Sequence, residues 1–162
     1  MPITGVPIAI YPSLIEALAS IKSAAAGANA ELGLLDAHRD AIVAACDELR
    51  AGRLLDQFVV DVIQGGAGTS TNMNANEVIA NRALELMGHD KGQYQFLHPN
   101  EHVNMSQSTN DVYPTALKLA AYAGILQLVD AMAYLRAAFE ANPRDSTTQS
   151  RWAVPSCKLR YR

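Results

Sequence analysis

Apolar residues recur at helical spacing in four stretches of this chain, and the pattern predicts four helices. The first follows Ser13, which we expect to be its N-cap. The second is predicted over residues 36–51 and the third over residues 75–87, each with a glycine just beyond its end. The fourth is predicted to begin at Asp111 and to be the longest of them.

The fourth predicted helix is apolar on more than one face. A helix that is apolar around much of its girth requires several neighbours to bury it. The three shorter helices cannot supply them, so we expect a large helical bundle or an oligomer. The two apolar faces comprise Ala116, Leu119, Ala123, Leu126 and Val129 on one side and Leu117, Ala120, Gly124, Leu128 and Leu135 on the other.

The stretches between the helices are less regular. Residues 1–12 contain three prolines and residues 88–110 are polar, so both are expected to be irregular. Residues 58–63 form a short apolar run that fits either a strand or an extended loop.

Composition favours a mainly α fold. Apolar residues make up 49% of the 162 residues and aromatic residues only 6%, so the core must consist of alanine and aliphatic side chains. Such small side chains favour closely packed helices. Cys46 lies in an apolar helical pattern and is expected to be buried, and with Cys157 it forms neither a disulfide framework nor a metal site.

Charge and hydropathy exclude two classes of partner. The net charge of −3 argues against nucleic-acid binding, which requires a basic surface. No segment is expected to approach the roughly 20 apolar residues that span a bilayer, and no basic leader precedes the first apolar residues. We therefore expect a cytoplasmic protein without a membrane partner.

Two short polar segments precede the third and fourth helical patterns: GGAGTSTNMN at residues 65–74 and QSTND at residues 107–111. Both are rich in hydroxyls, side-chain amides and small residues with accessible backbone N–H groups. Such groups donate hydrogen bonds without carrying charge, which suits the binding of carboxylate oxygens at helix N-termini. The first segment and the residues just after it contain six polar side chains: Thr69, Ser70, Thr71, Asn72, Asn74 and Asn76.

Simpler interpretations of these segments stay open. The glycines can form a plain turn, and Asp111 can simply cap the fourth helix. A phosphate loop is disfavoured because the segment lacks the lysine of GxxxxGK[ST] and the spacing of GxGxxG. No histidine, cysteine and carboxylate cluster has the spacing of a metal site.

The stretches GGAGTSTNMNANEVIANRALELMG and HPNEHVNMSQSTNDVYPTA closely resemble the first two signature regions of the aspartase/fumarase superfamily. The resemblance runs from about residue 3 to residue 141. Within the superfamily, DVIQGGAGTSTNMN and QSTND look like the aspartate ammonia-lyases, whereas class II fumarases typically show GSGTQSNMN and QSSND. The resemblance implies the N-terminal helical domain and the first long helix of an aspartase/fumarase-type bundle.

The resemblance also implies a chemistry and a set of site residues. The reaction is the reversible deamination of L-aspartate to fumarate and ammonia, in which a base removes the C3 proton and the β-carboxylate takes up the charge. Thr69, Ser108, Thr109 and Asn110 match the substrate-binding positions of the family. His98 and Asn100 match a secondary anion site, although a surface or structural histidine is the more common alternative at His98.

Partners and cofactors follow from the same resemblance. The family acts on small dicarboxylates, uses no cofactor and forms homotetramers in which three subunits meet at each active site. Its catalytic serine, a lysine and an asparagine lie on a loop that corresponds to positions beyond residue 162. We therefore expect no catalytic residue in this chain and little activity from it alone.

The family resemblance stops at about residue 142. We expect residues 1–110 to be a partial N-terminal lyase domain, residues 111–141 the first long helix of the central bundle, and residues 142–162 an out-of-frame tail. Back-translating the tail and starting at the third base of each codon can encode the family's third signature, GRTQLQ. The single codon of Trp152, followed by Ala153, gives Met-Gly in that frame when the Arg151 codon ends in A. We interpret this as a one-base frameshift near Asn142, which resequencing that codon would test.

Three other functions remain as alternatives. The chain can belong to a class II fumarase or a related lyase, which substrate testing would distinguish. It can also be a non-catalytic fragment that co-assembles with intact subunits, or a helical binding module unrelated to the family.

Overall fold

The structure, a computed structural model, describes residues 3–35, 38–64 and 66–141. These residues contain four α-helices and no strand, which confirms the predicted mainly α class. The helices are α1 (Pro12–Glu31), α2 (Arg39–Arg50), α3 (Thr69–Leu86) and α4 (Thr109–Ala141). Short 3-10 turns occur at Ile8–Ile10 and Leu55–Gln57, and a single π-helical turn occurs at Pro99–Val103.

The residues up to Tyr122 form one compact unit, and the remainder of α4, from Ala123, belongs to a second. In the first unit α2 packs against both α1 and α3. Cys46 is fully buried in this core, as predicted. The division at residues 110 and 111 stays a prediction, and the predicted tail at 142–162 and Cys157 lie outside the described residues.

The ambiguous run at residues 58–63 is an extended loop. It makes one antiparallel bridge, between Pro7 and Asp61, and Val62 donates a backbone hydrogen bond to Val6 at 2.9 Å. Asp61 accepts from the backbone N–H groups of Thr4 and Gly5, each at 2.8 Å. The loop is therefore tied to the N-terminal segment.

The predicted N-cap of the first helix is wrong. Pro12 is the first residue of α1 and Tyr11 is its N-cap, so Ser13 lies inside the first turn. Proline is favoured at this position because the first helical N–H has no partner in any case, and the ring presets φ for the helix. The prediction that a glycine follows the end of α2 and of α3 is confirmed, since Gly52 and Gly88 adopt φ of +78° and +82° just beyond these helices.

The helix α3 begins at Thr69 rather than at the predicted Ala75. The polar residues of its first two turns discouraged the helix prediction, because asparagine and threonine are weak helix formers. In the structure Thr71, Asn72 and Asn76 are buried, and Thr71 and Asn72 hydrogen-bond to residues outside the helix. Tertiary pairing thus overrides local propensity here.

The helix α4 is 33 residues long and begins at Thr109. Within it Val112 and Ala116 are buried, while its large apolar side chains are exposed. The expectation that no segment is long and apolar enough to cross a bilayer is wrong on length and composition, because α4 contains an 18-residue window with a mean hydropathy of 1.3, of which 6% is buried. The exposed apolar residues are Leu117, Leu119, Tyr122, Ile125, Leu126, Leu128, Val129, Met132, Tyr134, Leu135 and Phe139.

An ion pair joins α2 to α3. Arg82 donates to both carboxylate oxygens of Glu48, at 2.7 and 2.8 Å. These hydrogen bonds from Arg82 hold the pKa of Glu48 below its ordinary value of 4.5. A two-pronged guanidinium and carboxylate contact of this kind is geometrically specific.

This pair predicts a pH dependence of stability. Because the pKa of Glu48 is lower in the folded state, its contribution is fully present above about pH 4.5 and is lost as the pH falls through the folded value. Replacing Arg82 with methionine should reduce the loss of stability in acid, measured by thermal unfolding between neutral pH and pH about 3. The control is Arg136→Met, because Arg136 pairs with Glu140 on the exposed surface of α4 at 2.7 Å. Equal acid sensitivity of wild type and Arg82→Met would contradict this account.

Candidate functional site

The two polar segments meet at the N-termini of α3 and α4. Asn72, in the first turn of α3, donates from Nδ2 to Oγ1 of Thr109, the first residue of α4, at 3.0 Å. Gly68, the N-cap of α3, lies against the ring of Tyr113 so closely that an added Cβ would be 2.3 Å from ring carbons. The structure therefore brings together the segments that the sequence suggested would act together.

Thr69 and Ser108 lie at the N-terminal ends of the two helices. Thr69 is the first residue of α3, is exposed, and donates from Oγ1 to the carbonyl of Gly66 at 2.7 Å. Ser108 directly precedes α4, is exposed, and accepts at Oγ from the backbone N–H of Asn110 at 3.2 Å. Ser108 is thus the capping residue of α4.

The alternative in which Asp111 caps α4 is wrong. Asp111 lies within the first turn of the helix, and its backbone N–H points back to the carbonyl of Ser108 at 3.1 Å. Its carbonyl oxygen accepts from the Thr115 hydroxyl at 2.7 Å. The cap falls on Ser108 because this residue precedes the first turn and its hydroxyl oxygen accepts from the backbone N–H of Asn110.

Exposure at these helix ends leaves room for a ligand. Thr69, Ser108 and Asn110 are exposed, and Thr109 is half-buried between them and the core. The first backbone N–H groups of a helix lack partners within it, and the helix dipole places partial positive charge there. Two adjoining helix N-termini lined by hydroxyls and an amide therefore favour an anion. We call Thr69, Ser108, Thr109 and Asn110 the grip.

Other polar residues of the first segment have structural partners. Gln64 donates from Nε2 to the Thr71 hydroxyl at 2.7 Å and accepts from the Thr71 backbone N–H at 3.1 Å. Asn74 accepts from the backbone N–H of Val59 at 3.1 Å and donates to the carbonyl of Gln57 at 3.0 Å. The density of polar side chains in this segment thus reflects internal pairing as well as any ligand contact.

A buried lysine lies beneath the grip, and the sequence analysis missed it. Lys22 of α1 is fully buried and donates from Nζ to Oδ1 of Asn104 at 2.7 Å. Burial lowers the pKa of its ammonium group to about 7. The sequence held a signal, because Lys22 falls on the apolar stripe of α1 that includes Leu18 and Ala26 at helical spacing.

His98 has a structural role in the described chain. Its Nδ1 accepts from the backbone N–H groups of Asn100 and Glu101 at 3.1 and 3.3 Å and so caps the π-helical turn. His102 accepts at Nδ1 from the backbone N–H of His98 at 2.8 Å. The neutral His98 ring then carries its proton on Nε2, and a secondary anion site that includes Asn100 stays a prediction in which Nε2 would be the donor.

The grip is an open surface at the helix ends. A cavity of about 310 Å³ lies along a different face of α3 and includes none of the predicted site residues. Within that cavity Glu85 pairs with both Arg82, at 3.0 Å, and Lys91, at 3.3 Å. These charges satisfy one another, so the cavity has no evident ligand of its own.

The comparison with known families gives the class of protein to which this mainly helical fold belongs. A family model described as a lyase matches residues 7–146, and the chain belongs to this family.

Relatives of the chain carry a more specific name. It is 55% identical to an aspartate ammonia-lyase from Helicobacter pylori strain J99 over 94% of the chain and 34% of that relative. It is 53% identical to an aspartate ammonia-lyase from Pseudomonas fluorescens, with the same coverage, and 55% identical to one from Escherichia coli K12 over 82% of the chain and 28% of that relative. The chain spans about a third of the length of the curated relatives it matches.

Solved structures confirm the fold. The crystal structure of a fumarate lyase:delta crystallin from Brucella melitensis matches with a TM-score of 0.87 and 56% identity, covering 90% of this chain and 33% of that one. A class II fumarase from Schistosoma mansoni matches with a TM-score of 0.63 and 43% identity, covering 67% and 23%. The predicted membership of the aspartase/fumarase superfamily is confirmed.

Proposed function

We propose that this chain carries the carboxylate-binding part of an aspartate ammonia-lyase active site, the enzyme that converts L-aspartate to fumarate and ammonia. The observation that carries the proposal is the contact between Asn72 and Thr109, which joins the N-termini of α3 and α4 at 3.0 Å. The names of the relatives at 53–56% identity support the choice of substrate.

The chemistry explains why uncharged donors suit this task. The C3 proton of aspartate is very weakly acidic, so removing it places a second negative charge on the β-carboxylate. Fixed hydrogen-bond donors aimed at that developing charge stabilise the transition state more than the ground state, and removing one such donor typically costs about 3–4 kcal/mol in an acyl-transfer enzyme. The Ser108 and Thr109 hydroxyls and the Asn110 side-chain amide can supply donors of this kind. The Thr69 hydroxyl joins them only when it releases the Gly66 carbonyl, to which it donates at 2.7 Å.

The chain alone should have negligible lyase activity. The grip offers hydroxyls and amides but no group suited to remove the C3 proton. Fumarate formation from L-aspartate, followed by ultraviolet absorbance, should stay at the level of the buffer. A complete aspartate ammonia-lyase at equal concentration is the positive control. Turnover by the purified chain near the roughly 10 per second typical of enzymes would contradict the prediction.

We extend the proposal to assembly. The exposed apolar residues of α4 suit packing against helices of other subunits, as in a homotetramer, better than exposure to water. In this account the protein acts in the cytoplasm, and the exposed apolar residues of α4 are buried by other protein subunits rather than by lipid.

A second candidate function is a non-catalytic chain that co-assembles with intact lyase subunits, which the same exposed surface favours. Co-expression with a tagged, complete aspartate ammonia-lyase would test it. Recovery of the untagged chain with the tagged subunit supports co-assembly, and its absence from the complex excludes it.

A ligand titration tests the proposed function. Adding fumarate or L-aspartate to isotope-labelled chain should shift the backbone amide resonances of residues 66–72 and 108–112 in a saturable way. Propanoate, which has one carboxylate, is the control and should cause smaller shifts. Unchanged amide resonances at both helix N-termini with either dicarboxylate would contradict the proposal, and a preference for L-malate over L-aspartate would favour a fumarase.

A further inference from the structure

A continuous set of buried hydrogen bonds leads from α1 to the grip. Lys22 Nζ donates to Asn104 Oδ1 at 2.7 Å, and Asn72 Nδ2 donates to the same oxygen at 3.1 Å. Asn72 Nδ2 also donates to Thr109 Oγ1 at 3.0 Å. Both Lys22 and Asn72 are fully buried, so this connection is shielded from water over most of its length.

The direction of each bond follows from the one before it. A lysine ammonium can only donate, so Asn104 must turn Oδ1 toward Lys22. Asn104 Nδ2 then faces the carbonyl of Gln107 and donates to it at 3.2 Å, which supports the same orientation.

The same logic continues to the substrate side. Because Asn104 presents an oxygen, Asn72 must present Nδ2 to it, and that amide group also faces Thr109. The Thr109 oxygen therefore accepts, and a hydroxyl that accepts from Asn72 keeps its single hydrogen for another partner. In the grip that partner would be a carboxylate oxygen.

We infer that Lys22 is a positioning residue that sets the direction of this hydrogen-bond chain and thereby keeps the Thr109 hydroxyl as a donor to the substrate carboxylate. The inference rests on the proposed function of the grip. Without Lys22, only the Gln107 carbonyl holds Asn104 in this orientation. When Asn104 and Asn72 turn over, the Thr109 hydroxyl donates to the Asn72 oxygen instead of the substrate.

An unpaired oxygen of Asn72 supports the inference that Lys22 sets the direction of the hydrogen-bond chain. Oδ1 of Asn72 is buried and has no hydrogen-bond partner among the described residues. A buried acceptor without a partner is unfavourable by about 1–3 kcal/mol, so Asn72 is not oriented by its own full pairing. Its orientation is instead the one that the donor at Lys22 requires.

Titration of Lys22 offers an internal check. Burial lowers its pKa to about 7, and the titratable group among the described residues that would act on it when charged is Cys46 of α2. Burial raises the pKa of the Cys46 thiol to about 12, so Cys46 stays neutral in this range. Above about pH 7 a neutral lysine amine can accept as well as donate, and the direction of the chain is less strongly set.

The experiment compares Lys22→Met, Lys22→Gln and Lys118→Met in the 162-residue chain, with fumarate as the probe. Lys22→Met removes every donor, and should lower fumarate affinity about tenfold and shift the side-chain amide resonances of Asn72 and Asn104. Lys22→Gln keeps an N–H donor and should recover most of the affinity. Lys118 is exposed on α4, and its replacement should change neither readout.

The outcomes separate this inference from the proposed function. If wild-type chain does not bind fumarate, the proposed function fails, while the side-chain amide resonances still report on the direction of the chain. A folded Lys22→Met with wild-type affinity and unshifted Asn72 and Asn104 amides would overturn the inference. If that variant does not fold, a pH titration of the wild-type chain tests the inference instead. The side-chain amide resonances of Asn72 and Asn104 should shift as Lys22 titrates near pH 7, and resonances that do not shift would overturn the inference.

Discussion

Replacing Gly68 with alanine should destabilise the first compact unit by about 2–5 kcal/mol and disturb the grip. Gly68 has φ of +86°, and a Cβ there would lie 2.3 Å from carbons of the Tyr113 ring. A left-handed conformation disfavours alanine by roughly 1–2 kcal/mol, and forcing extra volume into a packed contact adds about 1–3 kcal/mol. Urea denaturation followed by circular dichroism measures the sum.

A second glycine separates the two effects. Gly88 has φ of +82° and nothing within 4 Å of an added Cβ, so Gly88→Ala should show the backbone term alone. Adding Tyr113→Ala to Gly68→Ala should relieve the clash, and the two changes should be strongly non-additive. Equal destabilisation by Gly68→Ala and Gly88→Ala would show that the close approach of α3 to Tyr113 does not hold the helix ends together.

The second large effect concerns the exposed apolar surface of α4. Leu128 and Leu135 are 58% and 55% exposed and lie seven residues apart, so they share a face of the helix. Exposed apolar surface of this extent drives association in water, and we expect the chain alone to self-associate. Replacing both leucines with lysine should yield a monomer in sedimentation experiments.

The matched control adds the same charge to polar positions of the same helix. Thr115 and Gln127 are exposed on α4, and their replacement by lysine should leave the association of the chain nearly unchanged. A wild-type chain that is already monomeric, or equal effects of the two double variants, would contradict the role assigned to the apolar surface.

The helices were predictable where apolar periodicity alone determines them. The start of α3 was not, because its first turns are stabilised by pairs such as Thr71 with Gln64 that no helical periodicity reveals. Assigning the cap of α4 to Ser108 instead of Asp111 likewise required the backbone path. Local pattern therefore located the helices, and tertiary contacts decided where they begin.

The grip, too, was predictable from local sequence in part, while other features of it depend on tertiary contacts. Its four residues followed from the resemblance of two motifs, and the polar character of both segments pointed to the same chemistry. Lys22 did not emerge, because its partner Asn104 is 82 residues away along the chain. The close approach of Gly68 to Tyr113 was equally hidden, since a glycine in a turn has many possible causes.

The most direct test of the grip compares fumarate affinity in Thr109→Val and Thr115→Val. Both threonines lie near the start of α4, but Thr115 is exposed and its hydroxyl is bonded to the carbonyl of Asp111 at 2.7 Å. A hydrogen bond to a charged group contributes about 1.5–3 kcal/mol, so Thr109→Val should weaken fumarate binding at least about tenfold. Thr115→Val should leave binding unchanged. Equal affinities in the wild type and both variants would contradict the account that the two helix N-termini bind the substrate carboxylate.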